Sequence, residues 1–282
     1  MTYIGAHISR EKTLLDTIKQ IQFNKGNALQ IFVSNPRSTK ITQNDTFIKD
    51  PNEIKTFIKN NNFSLVIHSP YTINLANKLE LNKRVLDISD SYAIQLIMHE
   101  LKIAHILGAI GCIVHCGKYT KQTIKEGLTN MKNTLNFIIN EIIKLKLNSK
   151  IILETSCGQG TELLSNYNEF LEFYNSFTKE QKEYFKICID TCHVWAAGYE
   201  LNDIYEIIKK NNNLNDIAVI HVNNSKTAKN SKLDRHEYLE EGLIKLENIL
   251  EFLKNIKKNN LKITLILEKP NDNYSHEFNL IK

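Results

Sequence analysis

His68, His115, Glu154, Asp190, His221 and Glu268 each stand at or beside the last residue of a short apolar run, in SLVIH, GCIVH, KIILE, FKICID, IAVIHV and ITLILE. One such histidine would ordinarily be a hydrogen-bonded structural residue. Six placements of the same kind point instead to a shared site. Three further candidates lie just beyond: His193 in CIDTCH, and Asp234 with His236 in LDRHEY. Together these side chains comprise four carboxylates and five imidazoles. That donor set suits zinc, with manganese or iron as substitutes. It exceeds the needs of one tetrahedral ion and fits a cluster of two or three, especially if a carboxylate bridges. The chain has no Cys-x-x-Cys pair, which argues against a thiolate structural site. Cys188 lies inside an apolar run and reads as a small core residue. Cys157 and Cys192 are not required as ligands.

Side chains so far apart in sequence need a scaffold that gathers strand ends. Strand candidates occupy 3–8, 28–33, 64–68, 111–115, 150–154, 185–190, 217–222 and 263–268. Between them, apolar residues recur at three- and four-residue steps over 11–24, 85–107, 121–146, 162–176, 200–211 and 243–258. Continuous apolar strands suit a parallel sheet covered by helices. Eight such units predict an α/β fold, a single (β/α)8 TIM barrel over residues 1–282, with the active site at the C-terminal ends of the strands. Alternation alone also permits an open doubly wound sheet. His7 ends the first strand and is expected to line the site, whereas His99, His105 and His276 fall outside it. The polar stretch from about 222 to 242 is long for a connection, and such insertions are usually functional.

A chain of 282 residues is compatible with one barrel domain. Only 10 Gly and 4 Pro make collagen-like and disordered classes poor fits. A net charge of +5 is compatible with a polyanionic partner, although lysines in stretches such as KNIKKNN read as solvated surface. Five cysteines, an odd number in a long chain, favour a reducing interior. No basic start leads into an apolar core, and no apolar run could cross a bilayer. The expectation is a soluble, intracellular protein, in the cytoplasm or another reducing compartment, without a membrane partner.

The segments YIGAHIS, HSPYTINL, LETSCGQGTEL, CIDTCHVWAAGYEL and HVNNSKTAKNSKLDRHEYLEEG closely resemble the endonuclease IV family of zinc-dependent apurinic/apyrimidinic (AP) endonucleases. The resemblance implies three zinc ions. His68, His115 and Glu154 would hold the first. Glu154 would bridge to the second, completed by Asp190, His221 and Glu268. His193, Asp234 and His236 would hold the third. It also implies hydrolysis of the phosphodiester 5′ to an abasic site in duplex DNA by a metal-bridging hydroxide, leaving a 3′ hydroxyl and a 5′ deoxyribose phosphate. Glu154, Asp190 and Glu268 would be catalytic, and cleaning of blocked 3′ ends is a further implied activity. Such a reaction needs metals, because the phosphate repels hydroxide until its charge is neutralised. An abasic nucleotide has no stacked base and costs less to swing out of the helix. The residues matching the family's DNA loops are Arg37 and Tyr71, with Gln159, Asn223 and Lys226 as further DNA contacts or orienters of ligands. Several places depart from the pattern, among them the region after LEEG, which lacks a familiar glycine, and a short tail beyond LEKP; two bear on the site. REKT replaces a glycine-rich first turn, which implies a stiffer, more charged loop. HCGKY places Cys116 and Lys118 after the fourth-strand histidine, and Lys118 is a candidate phosphate contact.

Two other readings compete. A metal-dependent sugar isomerase or epimerase of the xylose isomerase-like barrels would use the same residue types, but only one or two ions and a small-molecule pocket. A non-catalytic protein would bind abasic DNA without cutting it. The set His193, Asp234 and His236, with the Arg37 and Tyr71 loops, favours the nuclease.

Overall fold

The computed structural model describes residues 2–41, 46–81, 84–259, 262–270 and 274–282. Its main sheet has eight strands: β1 (Thr2–His7), β2 (Ala28–Phe32), β3 (Ser64–His68), β4 (Gly111–His115), β5 (Lys150–Glu154), β6 (Phe185–Asp190), β7 (Ile217–His221) and β8 (Ile263–Leu267). Consecutive strands pair in parallel, and β8 pairs with both β7 and β1, so the sheet closes. This is the (β/α)8 barrel that the alternation predicts, and closure excludes the open sheet. Every strand lies within one residue of its expected bounds, because Ile, Leu and Val runs of that length suit strands buried on both faces.

The lumen is filled in layers. Ala28, Val66, Ile113, Ile152, Cys188, Val219 and Ile266, one from each of β2 to β8, form one buried cluster. On β1 the level position is Gly5, paired with Ala28 on one side and Ile266 on the other. A Cβ there would lie 1.6 Å from the Ala28 carbonyl oxygen, so no larger residue fits that register. Strand side chains alternate between faces, so the lumen receives the residues two positions further on. Those residues are His7, Gln30, His68, His115, Glu154, Asp190, His221 and Glu268. An apolar layer thus carries a polar layer directly above it.

The outer faces of the strands pack against helices α1 (Leu14–Phe23), α2 (Pro51–Asn60), α3 (Tyr92–Leu107), α4 (Ile124–Lys144), α5 (Tyr167–Asn175), α6 (Lys179–Lys182), α7 (Thr191–Ala197), α8 (Leu201–Lys210), α9 (Leu246–Asn259) and α10 (Tyr274–Leu280). In α4 the Thr123 hydroxyl accepts from the Glu126 amide while Glu126 accepts from the Thr123 amide, and Met131, Leu135, Ile138, Ile139 and Ile142 are buried along one stripe. Burying each large aliphatic side chain of this kind stabilises the fold by about 1.5–3 kcal/mol.

Several expected helices begin late. The 85–107 stretch opens with a two-residue ladder, Glu80–Leu81 against Arg84–Val85, and a 3-10 turn, so α3 starts only at Tyr92. The 162–176 stretch opens with a loop in which Gly158, Gly160 and Leu164 take left-handed backbone, and Asn166 then caps α5. The polar connection after β7 folds back on itself, with Asn224–Ser225 antiparallel to His236–Glu237. It is pinned to α7: Trp195 Nε1 donates to the Thr227 carbonyl at 3.0 Å, and Lys232 Nζ to the Ala197 carbonyl at 2.7 Å.

Candidate metal centre

Glu154, at the end of β5, lies at the middle of the polar layer and is almost completely buried. Its Oε2 is 3.3 Å from His68 Nε2 and 3.1 Å from His115 Nε2, while its Oε1 is 3.0 Å from His221 Nδ1. One carboxylate therefore faces two separate groups of donors, one through each oxygen. Burial alone would raise its pKa, but His115 and His221 hold it well below the usual carboxylate range.

Asp190 ends β6 and starts α7. Its Oδ1 accepts from the His193 amide at 3.0 Å and so caps that helix, leaving Oδ2 3.7 Å from His221 Nδ1 and 3.5 Å from His236 Nε2. The cap explains why CIDTCH couples a strand-end aspartate to a histidine three residues later. His193 Nδ1 sits 2.8 Å from the Thr155 carbonyl, which fixes the ring with Nε2 turned to Asp234 Oδ2 at 3.2 Å. Asp234 Oδ1 is in turn 2.9 Å from His236 Nε2. Glu268 Oε2 approaches His221 Nδ1 at 3.3 Å.

Ligand-capable atoms converge in four groups, each within 4.8 Å: His68, His115 and Glu154; Glu154, Asp190 and His221; Asp190, His193 and His236; and Cys192, Asp234 and His236. Burial pushes the Cys192 thiol up to about 12, and its Sγ is 3.8 Å from the Arg235 carbonyl. Cys188 is fully buried in the lumen cluster, as expected of a core residue.

The donor set fits divalent cations. Among the described residues, Glu154, Asp190, Asp234 and Glu268 have imidazoles and amides around them, and no lysine or arginine pairs with them. Burying carboxylates without a counter-charge costs several kcal/mol per ion, roughly. In the metal-free chain the imidazoles supply that charge: burial opposes protonation, yet Asp190 and its neighbours raise His236 to about 9, and His193 also lies well above its usual value. His193 Nε2 is buried and makes no hydrogen bond, although Asp234 is close. Such a nitrogen suits a cation placed between the two side chains.

The rim carries the other expected residues. Tyr71 is 60% exposed, its ring stacked on His115 with centroids 6.0 Å apart and edge-on to Phe32 at 5.2 Å. Burial of its hydroxyl, with Glu268 and Glu154 nearby, pushes its pKa up to about 12. Arg37 is exposed, and its side chain makes no hydrogen bond or ion pair to any described residue. A cavity of about 810 Å³ opens between Tyr71 and Glu268, lined also by His7, Arg10 and Asn35. Lys226 pairs with Glu237 at 3.4 Å, and Lys118 with Glu162 at 3.4 Å, which reduces the charge either offers to a phosphate. Gln159 accepts from the Asp234 amide at 3.2 Å through its side chain.

Of the two roles expected for Asn223, DNA contact or orientation of ligands, its burial and bonding favour the second: Nδ2 donates to Asp190 Oδ2 at 2.7 Å and to Glu268 Oε2 at 3.0 Å. Gln30 is the polar-layer residue that sequence reasoning missed. Its Nε2 lies 2.7 Å from Glu268 Oε1, and its Oε1 lies 2.8 Å from His221 Nε2. Its signal was its position two residues past the lumen residue Ala28. The REKT turn is tied down by Arg10, whose guanidinium donates to the Phe32 and Val33 carbonyls and lies over the Phe47 ring.

Comparison with known proteins agrees with this geometry. Residues 24–282 match the family described as xylose isomerase-like TIM barrel. The protein named "Probable endonuclease 4" of Mycoplasma capricolum is 30% identical over 274 residues, an alignment covering 95% of this chain and 90% of that protein. The crystal structure of endonuclease IV from Thermus thermophilus superposes with a TM-score of 0.75 at 20% identity, covering 99% of this chain and 96% of that one. A D-tagatose 3-epimerase-like protein superposes at 0.71 with 20% identity over 99% of this chain and 95% of that one. At such identities the superpositions establish the fold alone, and full-length sequence similarity decides between nuclease-like and epimerase-like relatives. The chain belongs to the endonuclease IV family of the xylose isomerase-like TIM barrels.

Proposed function

We propose that this protein is an AP endonuclease of base excision repair that hydrolyses the phosphodiester 5′ to an abasic site in duplex DNA, leaving a 3′ hydroxyl and a 5′ deoxyribose phosphate. The observation that carries the reading is the placement of Glu154 between two donor groups, His68 with His115 on one oxygen and His221 on the other. A third group, His193 and His236 about Asp234, lies beside them. We assign three zinc ions to these groups, with manganese or iron as substitutes. When bound, they supply phosphate neutralisation, a water nucleophile available near neutral pH and stabilisation of the leaving oxygen.

The chain's own residues do the rest. Glu154, Asp190 and Glu268 present carboxylates on a rigid strand-end layer, so little reorganisation accompanies charge development. Asp190, held by its own helix cap, keeps Oδ2 aimed into the centre. Tyr71, exposed beside His115, is positioned to stack against an unpaired nucleotide, and Arg37 is free to meet the backbone or the gap left by the missing base. Removal of blocking groups from 3′ ends would use the same centre. We further propose that the protein acts inside the cell as a single-domain monomer. No described helix is long and apolar enough to cross a membrane.

Full-length similarity to proteins named endonuclease 4 favours DNA over a sugar substrate. The test is incubation with a duplex carrying one tetrahydrofuran abasic analogue, with and without a strong zinc chelator, followed by analysis of the product ends. Cleavage 5′ to the lesion that prolonged chelation abolishes is expected. An intact but tightly bound duplex would support the non-catalytic reading. An unbound one would return the site to sugar chemistry.

A further inference from the structure

We propose that Gln30 is a positioning residue of the metal centre, selecting the His221 tautomer that turns Nδ1 toward the ion and fixing the Glu268 carboxylate opposite. The inference rests on the metal reading above and concerns the one residue of the polar layer among β2 to β8 whose side chain does not titrate. Gln30 is completely buried on β2, directly above Ala28 in the lumen. Three side chains surround its amide, namely Glu268 Oε1 at 2.7 Å, His7 Nδ1 at 3.0 Å and His221 Nε2 at 2.8 Å.

The orientation of that amide follows from what its neighbours can do. An ionised carboxylate only accepts, so the group facing Glu268 Oε1 must be the amide NH2. Its second hydrogen then faces His7 Nδ1. The amide oxygen is left facing His221 Nε2, and an amide oxygen also only accepts. The His221 ring must therefore carry a hydrogen on Nε2, and when it gives up one proton to bind a cation it is Nδ1 that is freed. Nδ1 is then the nitrogen that faces Glu154 Oε1, Glu268 Oε2 and Asp190 Oδ2 at 3.0, 3.3 and 3.7 Å, and it is the one whose lone pair a cation would take in place of the proton now shared with Glu154. One glutamine thus decides which nitrogen of His221 is a ligand and which oxygen of Glu268 stays free, since Glu268 Oε1 is held by the amide and Oε2 is turned inward. Direct contact between His7 and Glu268 is longer, 3.8 Å, so the amide and not the histidine is the nearer partner of that carboxylate. A leucine in this place would leave His221 Nε2–H and Glu268 Oε1 buried without a partner.

The test uses full-length protein labelled with 15N in histidine and loaded with zinc, compared with Gln30→Leu and Gln30→Glu. In the wild type, the His221 ring should show a protonated Nε2 and a metal-bound Nδ1. In Gln30→Leu, chelator should strip at least one zinc about 10- to 100-fold more readily, and the His221 nitrogen pattern should change. Gln30→Glu keeps the acceptor for His221 Nε2 but sets a second carboxylate against Glu268. It should keep the wild-type tautomer while losing zinc more readily, and it carries the test if the leucine variant does not fold. Folded variants with wild-type zinc retention and wild-type His221 shifts would overturn the inference and leave the metal reading intact. A wild-type protein that takes up no zinc would overturn both.

Discussion

Asn223 holds Glu268 at both ends: its Oδ1 accepts from the Glu268 backbone amide at 3.0 Å, and its Nδ2 donates to Glu268 Oε2 at 3.0 Å. The same Nδ2 reaches Asp190 Oδ2 at 2.7 Å, so one buried amide joins the ends of β6 and β8. Replacing Asn223 by Ala should therefore lower kcat about 10- to 100-fold and loosen zinc, as loss of a ligand-orienting partner does, with abasic-duplex Kd unchanged within about twofold. Fluorescence anisotropy beside single-turnover cleavage separates the two. A DNA contact would show the reverse, a weaker Kd with a preserved cleavage rate.

Glu154→Gln keeps the shape but removes the negative charge shared by His68, His115 and His221. Losing several kcal/mol of charge stabilisation corresponds to a fall of about 10³-fold or more in cleavage rate. Zinc content per chain, measured by elemental analysis, should fall with it.

Tyr71 presents an exposed ring over His115. Tyr71→Ala should weaken binding to abasic duplex by about tenfold or more, in the range of lost stacking on an aromatic platform, while Tyr71→Phe should stay near wild type. Binding titrations against intact and abasic duplexes check both, and equal losses on the two DNAs would deny Tyr71 a part in lesion recognition.

Arg10 binds the first turn to the end of β2, just ahead of the Arg37 loop. Arg10→Ala should raise KM several-fold through a looser loop and leave kcat close to wild type, because the polar layer is untouched. Steady-state kinetics on the abasic duplex give the split.

Glu100 is buried in α3, bonded by the Ser34 hydroxyl through one oxygen, while the other has no hydrogen-bond partner among the described residues. Burial raises its pKa from 4.5 to about 7. A raised folded-state value means that the native chain keeps a proton the unfolded chain has released. Its contribution is full below pH 4.5 and is lost as pH rises through about 7, a change of about 3 kcal/mol at most. Denaturant melts of wild type and Glu100→Gln between those limits should converge at the acid end and diverge in favour of the variant toward neutrality.

Most of the barrel was legible because its strands are continuous runs of Ile, Leu and Val, and the site because imidazoles and carboxylates at the ends of such runs are conspicuous. Gln30 escaped notice for the opposite reason. An uncharged amide within ALQIFV breaks no pattern of charge, and its role appears only when Ala28 is seen to face the lumen. For Asn223 the sequence leaves two roles open, because a residue just after a strand-end histidine can start an exposed loop or stay inside the barrel mouth. In fact Val222 continues the backbone pairing to Ile266, which keeps the next residue inside. Helix starts were the least legible, since the apolar spacing runs on through a 3-10 turn before α3 and through a loop with left-handed Leu164 and the Asn166 cap before α5.

The ring closes where β8 lies between β7 and β1, and Glu268 follows β8 at that seam. During synthesis, a chain whose eighth strand is still unmade has two raw edges and an incomplete set of donors, however well its first seven strands have formed. Sealing the seam and completing the centre are one event. An ion that needs Glu268 binds the sealed ring and not the open one, so its whole binding energy acts as a latch on closure.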